Sequence, residues 1–476
     1  MLSVSISRRP LSGLLLICGL LALLSSPPAQ AQGVHLLSTS KFAPPPAARA
    51  FHVGQVLDLR PDRSRLGVVH LGLDNRPVPA NFEHPLDETL SGWLRRATPA
   101  DGSRPVVLRI HALRLEELWG NAEIAAAELV ADFLIEREPG NYYFLLPVGE
   151  LVEQRGLEVT RKHEPNLERV LQQALTQLAA LPATAEGTGP ALSWADVQAG
   201  RGGITTMRYP IQKPPLQRGV YRSFAEFRAN APSGQGEPFT IIRRPRTAKQ
   251  WAGTDAIDAE YLYLSPDKPR RPVRSNVWGL SDGTMAYFFH RGAFYELRPD
   301  SARAAYTFTI PAPATPDDVA LGAVLGGLIG AGIAGAISGG DPLPCVLHLA
   351  SGRIEPQPTP LLAPGSPADS ATVYLYRRPD AAPDHSITVL LNGQEVGTLA
   401  SGSYLRLRWG SRRQDMNVCL RLPAGAEHCH RFVPSFSSPS YLQCSVPTAV
   451  DARPTLTMAP EKEGVFYVKK YRLRQR

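Results

Sequence analysis

The chain has 476 residues, 43% hydrophobic and 20% charged, enough to bury ordinary cores, which excludes a fibrous or wholly disordered protein. Proline is the outlier at 45 residues, roughly twice the average usage, so long uninterrupted helices are excluded and short strands joined by stiff loops are favoured. The net charge of +8 arises from Lys and Arg interspersed with Asp and Glu, so it does not by itself name a polyanionic partner.

Residues 1–31 read as a secretory signal peptide. Arg8 and Arg9 give the charged start, Leu14 to Leu24 the apolar stretch, and Ala29-Gln30-Ala31 a small-x-small cleavage site. Cys18 follows Ile17, where lipid attachment would need a small residue, so a lipoprotein is not expected. Removal of Arg8 and Arg9 leaves a mature chain of about +6. Residues 32–50, with Pro44-Pro45-Pro46, form a stiff Pro-rich leader.

The first module is expected over 51–182. Val53 to Leu59 and Val68 to Leu73 read as short strands, and Leu86, Leu90, Trp93, Leu94 and Ala97 share one face of a helix. Val106, Leu108, Ile110 and Ala112 alternate with partly polar neighbours, the pattern of a strand with one buried face. Ala127, Leu129, Ala131, Phe133 and Ile135 repeat with period two against Glu128, Asp132 and Glu136, which makes 125–135 a strand despite its helix-favouring composition. Tyr142 to Val148 follows as a strand, and Leu167, Val170, Leu171, Ala174, Leu175 and Leu178 form the stripe of a closing helix. This order of elements, with the Asp58-Leu59-Arg60 turn after the first strand, resembles the YajG-like and transport-auxiliary envelope lipoproteins, related in fold to the N-terminal domain of TolB. The resemblance implies a small periplasmic α/β module that binds partners without catalysis.

A linker is expected at 183–215 and a mostly-β module at 216–353. Ser223 and Glu226 have capping-box spacing, and Asp282-Gly283 supplies a tight turn between strands. The Gly219-Val220-Tyr221 start and the hairpin at Trp278-Gly279-Leu280-Ser281-Asp282-Gly283 resemble an uncharacterised module of exported bacterial proteins, which implies no activity. Within this module Val319 to Ile337 contains 19 residues without a charged or polar side chain. Gly322, Gly326 and Gly330 repeat every fourth residue, continued by Ala334 and Ser338, and predict a glycine-ridged apolar helix over 319–340 that inserts into or lies on a membrane, or self-associates along the ridge. The competing reading is an apolar loop or buried segment, because eight glycines between Gly322 and Gly340 each weaken a helix.

A Pro-rich linker at 354–370 leads to a third module over 371–476. Val373, Leu375 and Arg377 alternate with Tyr374, Tyr376 and Arg378, Asn392-Gly393 marks a hairpin turn, and Val465-Phe466-Tyr467-Val468 reads as the final strand. Tyr374-Leu375-Tyr376-Arg377, Leu391-Asn392-Gly393 and Gly397-x-Leu399 resemble PEGA-type β-sandwich modules, which implies tethering or binding at the cell surface. The expected fold class is therefore α+β multidomain: an N-terminal α/β sandwich, a mostly-β middle module interrupted by a glycine-rich apolar helix, and a C-terminal all-β sandwich.

Four cysteines remain after residue 31: Cys345, Cys419, Cys429 and Cys444. Cys419 and Cys429, ten apart across a hairpin, are the most plausible disulfide pair. His428, Cys429 and His430 make a poor metal site, since neighbours in a strand face opposite ways, and no metal or cofactor is expected. No G-x-S-x-G elbow, P-loop, Rossmann fingerprint or H-E-x-x-H occurs. Asp58, Asp62 and Asp74 with His70 and His84 are the acids and histidines from which a secreted hydrolase could be built, and this is the alternative function. Basic groups cluster at Arg243, Arg244, Arg246 and Lys249, at Lys268, Arg270, Arg271 and Arg274, and at Lys469, Lys470, Arg472, Arg474 and Arg476. In an exported protein they point to an envelope membrane or anionic envelope polymers, with no nucleic-acid partner. The leading expectation is a non-catalytic, membrane-associated binding or scaffolding protein of the bacterial periplasm or cell envelope.

Overall fold

Three groups of β-sheet, edged by a few short helices, make up a computed structural model of the chain. It describes residues 34–46, 50–71, 76–97, 100–118, 123–156, 158–262, 271–290, 292–300, 302–311, 341–357, 369–380, 386–423, 425–446 and 453–474. The architecture is mixed α+β and multidomain.

The first sheet contains β1 (His35–Leu37), β2 (Phe51–Asp58), β3 (Gly67–Leu71), β4 (Arg76–Phe82), β5 (Arg104–Leu118), β6 (Glu123–Glu138), β7 (Asn141–Gly156) and β8 (Thr188–Leu192). Their order is β1-β4-β3-β5-β6-β7-β8, and β2 runs parallel to the first half of β5. One face is covered by α1 (Leu86–Leu94) and α2 (His163–Ala179). Ala127, Leu129, Ala131, Phe133 and Ile135 of β6 share a core there with Leu167, Val170, Leu171, Ala174 and Leu178 of α2. Each large side chain so buried contributes roughly 1.5–3 kcal/mol. The opposite face is buried as well: Arg109 and Asp132 are both 0% exposed, so β5 is not the one-faced strand its alternation predicts.

The stretch 183–215 is not merely a linker. It supplies β8 to the sheet edge and then α3 (Trp194–Gln198), whose N-terminus is closed by Ser193 and Asp196 in a reciprocal capping box. The leader likewise contributes β1, and its continuation is strapped to the helices. Ala43 N donates to Glu168 (2.7 Å), and Trp93 Nε1 and Gln172 Nε2 donate to the carbonyl of Ala43.

The second sheet comprises β9 (Gly219–Tyr221), β10 (Phe239–Pro245), β11 (Asp255–Tyr261), β12 (Arg271–Pro272), β13 (Gly279–Ser281), β14 (Ala286–His290), β15 (Ala293–Asp300), β16 (Ala305–Pro311), β17 (Pro342–His348) and β18 (Ile354–Pro356), with α4 (Phe224–Arg228) packed on it. Asp282 turns the chain between β13 and β14, its Oδ1 accepting from Thr284 N and Met285 N.

The predicted glycine-rich helix is corrected here. β16 pairs antiparallel with β17 over seven positions, ending at Pro311 opposite Pro342. The chain therefore leaves and re-enters one sheet at adjacent strands, about 5 Å apart, which rules out a single crossing that would separate the third module from the first two. No helix among the described residues is long and apolar enough to cross a membrane. Gly322, Gly326, Gly330, Ala334 and Ser338 lie outside the described residues.

The third group is two four-stranded sheets face to face. β19 (Ala371–Arg377), β22 (Tyr404–Trp409), β25 (Ser440–Ser445) and β26 (Thr455–Met458) form one, in the order β22-β19-β25-β26; β20 (Ile387–Leu391), β21 (Gln394–Leu399), β23 (Met416–Arg421) and β24 (Glu427–Phe432) form the other, in the order β21-β20-β23-β24. Val373, Leu375 and Leu442 from one sheet and Val389, Val418 and Leu420 from the other share its core. Asn392 and Gly393 both take positive φ, the requirement of the tight β20–β21 turn. The expected strand at 465–468 is instead part of α5 (Glu461–Arg474). Gly464, Val468 and Tyr471 are the buried positions, spaced four and three apart, and Gly464 lets the helix lie against the ring of Tyr441. The short apolar run masks this helical spacing.

The sheets are not independent beads. The turn after β17 places Ala350 over Gly149 of β7, where a Cβ would lie 1.7 Å from the Ala350 oxygen. Between the first module and the third group, Arg63 N donates to the Arg412 carbonyl (2.8 Å), Arg412 reaches Asp62, and Arg431 reaches Asp87. Gly149→Val should prise the Ala350 turn off the first sheet and lower the folding free energy by about 1–3 kcal/mol, seen as a reduced melting temperature. Gly92→Ala, in α1 where a Cβ would meet only Arg95 Nη2 at 3.9 Å, should be neutral or stabilising in the same measurement.

Candidate functional site

The face of the first sheet opposite its helices combines a small apolar cluster around Val107, Leu134, Leu192 and Val197 with a row of buried charges. Arg109 Nε and one Nη donate to the two oxygens of Asp132 at 2.8 and 2.7 Å. Two further guanidinium hydrogens go to the carbonyls of Arg201 and Gly202, and Ile204 N donates to Asp132. Gly203 takes φ +64° directly over the pair, where a Cβ would lie 2.3 Å from Asp132 Oδ2. Burial works against charge on Asp132, yet hydrogen bonds from His111 and Arg109 hold its carboxyl below the ordinary range.

Further along the same face, Ser351 Oγ donates to Glu128 at 2.5 Å, and Arg353 reaches Glu116, Glu128 and Glu355 at 3.2, 3.7 and 3.0 Å. Glu116 and Glu153 flank Ala126 on neighbouring strands. Burial raises both carboxyls, that of Glu153 to about 7, with Arg155 opposing and Glu116 adding to the shift. Sequence reasoning missed this cluster. Only the alternation of Arg114, Glu116, Glu128 and Glu153 on adjacent strands could have signalled it, and its partners come from more than 200 residues away.

The candidate hydrolytic residues are not brought together. Asp58 is buried against Arg60 (2.8 Å) with Arg63 at 3.8 Å. Asp62 accepts from Ser64, and Asp74 lies outside the described residues. His70 pairs with Glu117 at 2.8 Å, and Glu117 also meets His163 Nε2 at 2.8 Å. An ionised carboxylate only accepts, so in that state both ring nitrogens carry hydrogen. His84 lies against His430, ring centroids 5.4 Å apart, where burial first, then His84 and His428, push His430 down to about 4.

Cys419 and Cys429 occupy directly opposite positions on β23 and β24 and form a disulfide. Both thiols of the Cys419, Glu427 and Cys429 cluster are thus consumed in a covalent bond and are not metal ligands. Cys345 and Cys444 are free and buried, each thiol pushed up to about 12 chiefly by burial. Of the basic clusters, Arg243 is bound to Glu296 and Tyr287, Arg246 stacks on Trp251, and Arg274 pairs with Asp258. Lys268 and Arg270 lie outside the described residues.

A cleft of about 460 Å³ opens between β2, α1 and the last turn of α2. Its walls are Phe51 to Val56 in unbroken succession, Ser91 and Leu94 from α1 with Arg95 just past its end, and Leu175, Leu178 and Ala179 from α2, with Pro45 and Pro46 at one end. Successive strand residues point to opposite faces, so six in a row can line one cleft only if it runs along the strand's edge. β2 is paired on one side only, to β5, with an irregular register at Val53–Gln55. The cleft thus offers backbone donors and acceptors beside apolar walls, with Arg95 and His52 as its basic groups and no carboxylate in its lining. In comparisons with known proteins, no family model, curated protein or solved structure matches the chain.

Removing one member of the Arg109–Asp132 pair strands the other's charge. Asp132→Asn should cost about 3–5 kcal/mol in urea unfolding, and the double change Arg109→Met/Asp132→Leu should cost less than Arg109→Met alone. For Glu153 the folded pKa lies above the unfolded value, so its contribution to stability is full below about pH 4.5 and lost as pH rises through about 7. Glu153→Gln should therefore nearly match the parent near pH 4.5 and exceed it by roughly 3 kcal/mol at pH 8 in a thermal-melt series.

Proposed function

We propose that the chain is an exported, non-catalytic binding and scaffolding protein of the bacterial cell envelope that captures an extended polypeptide along the open edge of β2. The unbroken lining of the cleft by Phe51 to Val56 carries the reading, because a strand edge beside apolar walls suits backbone pairing with side-chain pockets. The other long outer strand of the neighbouring sheet is guarded. β10 ends in exposed Arg243, Arg244 and Pro245, residues that oppose strand addition, whereas β2 has neither Lys, Arg nor Pro. The Arg8-Arg9 leader with its apolar stretch supports export, and the Cys419–Cys429 disulfide suits an oxidising compartment. Glu116 and Glu128 are engaged by Arg353, a contact that holds the first two sheets together, and Asp58, Asp62, His70 and His84 do not converge on one another, which favours a scaffold over the hydrolase alternative.

The α/β character of the first module, the β-sandwich character of the third and their resemblance to envelope families support the same assignment. The partner is an apolar, β-prone segment, with Arg95 favouring an acidic residue at the rim.

Short Val- and Thr-rich peptides titrated into the full chain should shift the backbone amides of Val53 to Val56 and of Ala179 in an NMR spectrum. Ala179→Trp, growing from a half-buried position into the cleft, should weaken that binding tenfold or more. Amides that do not move, or peptide affinity indifferent to the Ala179 change, would remove β2 as the binding edge.

A further inference from the structure

α5 has two faces that do opposite things. Gly464, Val468 and Tyr471 pack inward, in a cluster with Tyr376 and Tyr441, and Glu463 is held by Tyr376 (2.8 Å) and Arg378. The outward face carries Lys462, Phe466, Lys469, Lys470 and Leu473, all exposed. Phe466 is 59% and Leu473 73% exposed, the highest values among the large hydrophobic side chains of the described residues. Seven positions apart, they sit on one line two turns and about 10 Å apart. Lys470 Nζ lies 5.9 Å from the centre of the Phe466 ring. Among the described residues, no carboxylate forms an ion pair with Lys462, Lys469, Lys470 or Arg472.

We infer that this face of α5 is a docking surface for an anionic lipid surface, on which the helix lies flat with Phe466 and Leu473 as apolar anchors between lysines. The chemistry selects this occupant. A soluble acidic polymer would use the lysines and leave the two apolar side chains in water. A second copy of the same face would bring like charges together. An anionic bilayer interface satisfies both, with cations at headgroup level and Phe and Leu below them. The helix lies on the surface and does not cross it, since 14 residues span about 21 Å against a hydrocarbon core near 30 Å, and its inner stripe stays packed on the third group of sheets.

The test is cosedimentation of the purified full chain with vesicles of phosphatidylcholine alone and with added phosphatidylglycerol, at low and high salt. Binding only to the anionic vesicles, reduced at least tenfold by Phe466→Ser/Leu473→Ser and abolished by Lys469→Glu/Lys470→Glu, is the expected result. Both pairs are solvent-exposed, so unchanged melting curves should accompany the loss. No binding by the parent chain, or binding untouched by the Phe466/Leu473 change, would overturn the proposal, the latter marking a plain polyanion site. Loss of a dimer on gel filtration in the Phe466/Leu473 variant, with vesicle binding unaltered, would overturn it in favour of a second copy. The β2 cleft is untouched by these variants, so the peptide titration is independent of this outcome.

Discussion

The Arg109–Asp132 pair is the constraint from which the arrangement of the first two sheets follows. Taking both charges fully out of water is costly, and the cost is offset only because nearly every polar atom finds a partner. Two of those partners are carbonyls, of Arg201 and Gly202, and one is the amide of Ile204. The segment leading from the first sheet to the second is thereby fixed in a conformation that Gly202 and Gly203, both at positive φ, can adopt without strain. Once that segment is placed, Ala350 comes down on Gly149 and Ser351 and Arg353 on Glu128 and Glu116. The junction is polar, which makes it specific in geometry more than strong.

Much of the first module was legible because its inner face is ordinary. Leu129, Phe133, Leu167 and Leu171 announce a sheet and a helix by spacing alone. The other face was not, since Arg109, Glu128 and Asp132 look like solvent-facing residues until a second sheet arrives from far along the chain. The apolar run Val465–Val468 misled for a related reason. Four residues fit a strand, but the stripe that decides is Gly464, Val468 and Tyr471, and glycine scores as nothing until Tyr441 is seen to need the space. The disulfide position followed from a short hairpin, which is local information. The β2 cleft could not be read at all, because an edge is defined by which strands do not pair there.

Two buried groups respond to acidity in opposite senses. The carboxyl of Glu153 in the first sheet, raised by burial, prefers the proton and so favours the fold in acid, whereas burial of neutral His430 against His84, where the third group meets the first module, favours the fold above the ordinary histidine range. The first contribution is full only below about pH 4.5 and the second only above the ordinary histidine range, so each is partly lost between them.

The register of β16 and β17 has a topological consequence. Because Pro311 sits opposite Pro342, the backbone between them closes a circuit whose two ends are already joined by a seven-position ladder and by the sheet on either side. A scission anywhere in that circuit would leave two polypeptides, 1 to the cut and the cut to 476, still held in one body by interstrand hydrogen bonds and a shared core. Since Pro311 and Pro342 are already held as neighbours by that ladder, a longer chain between them would cost little, because closure entropy grows only slowly with length.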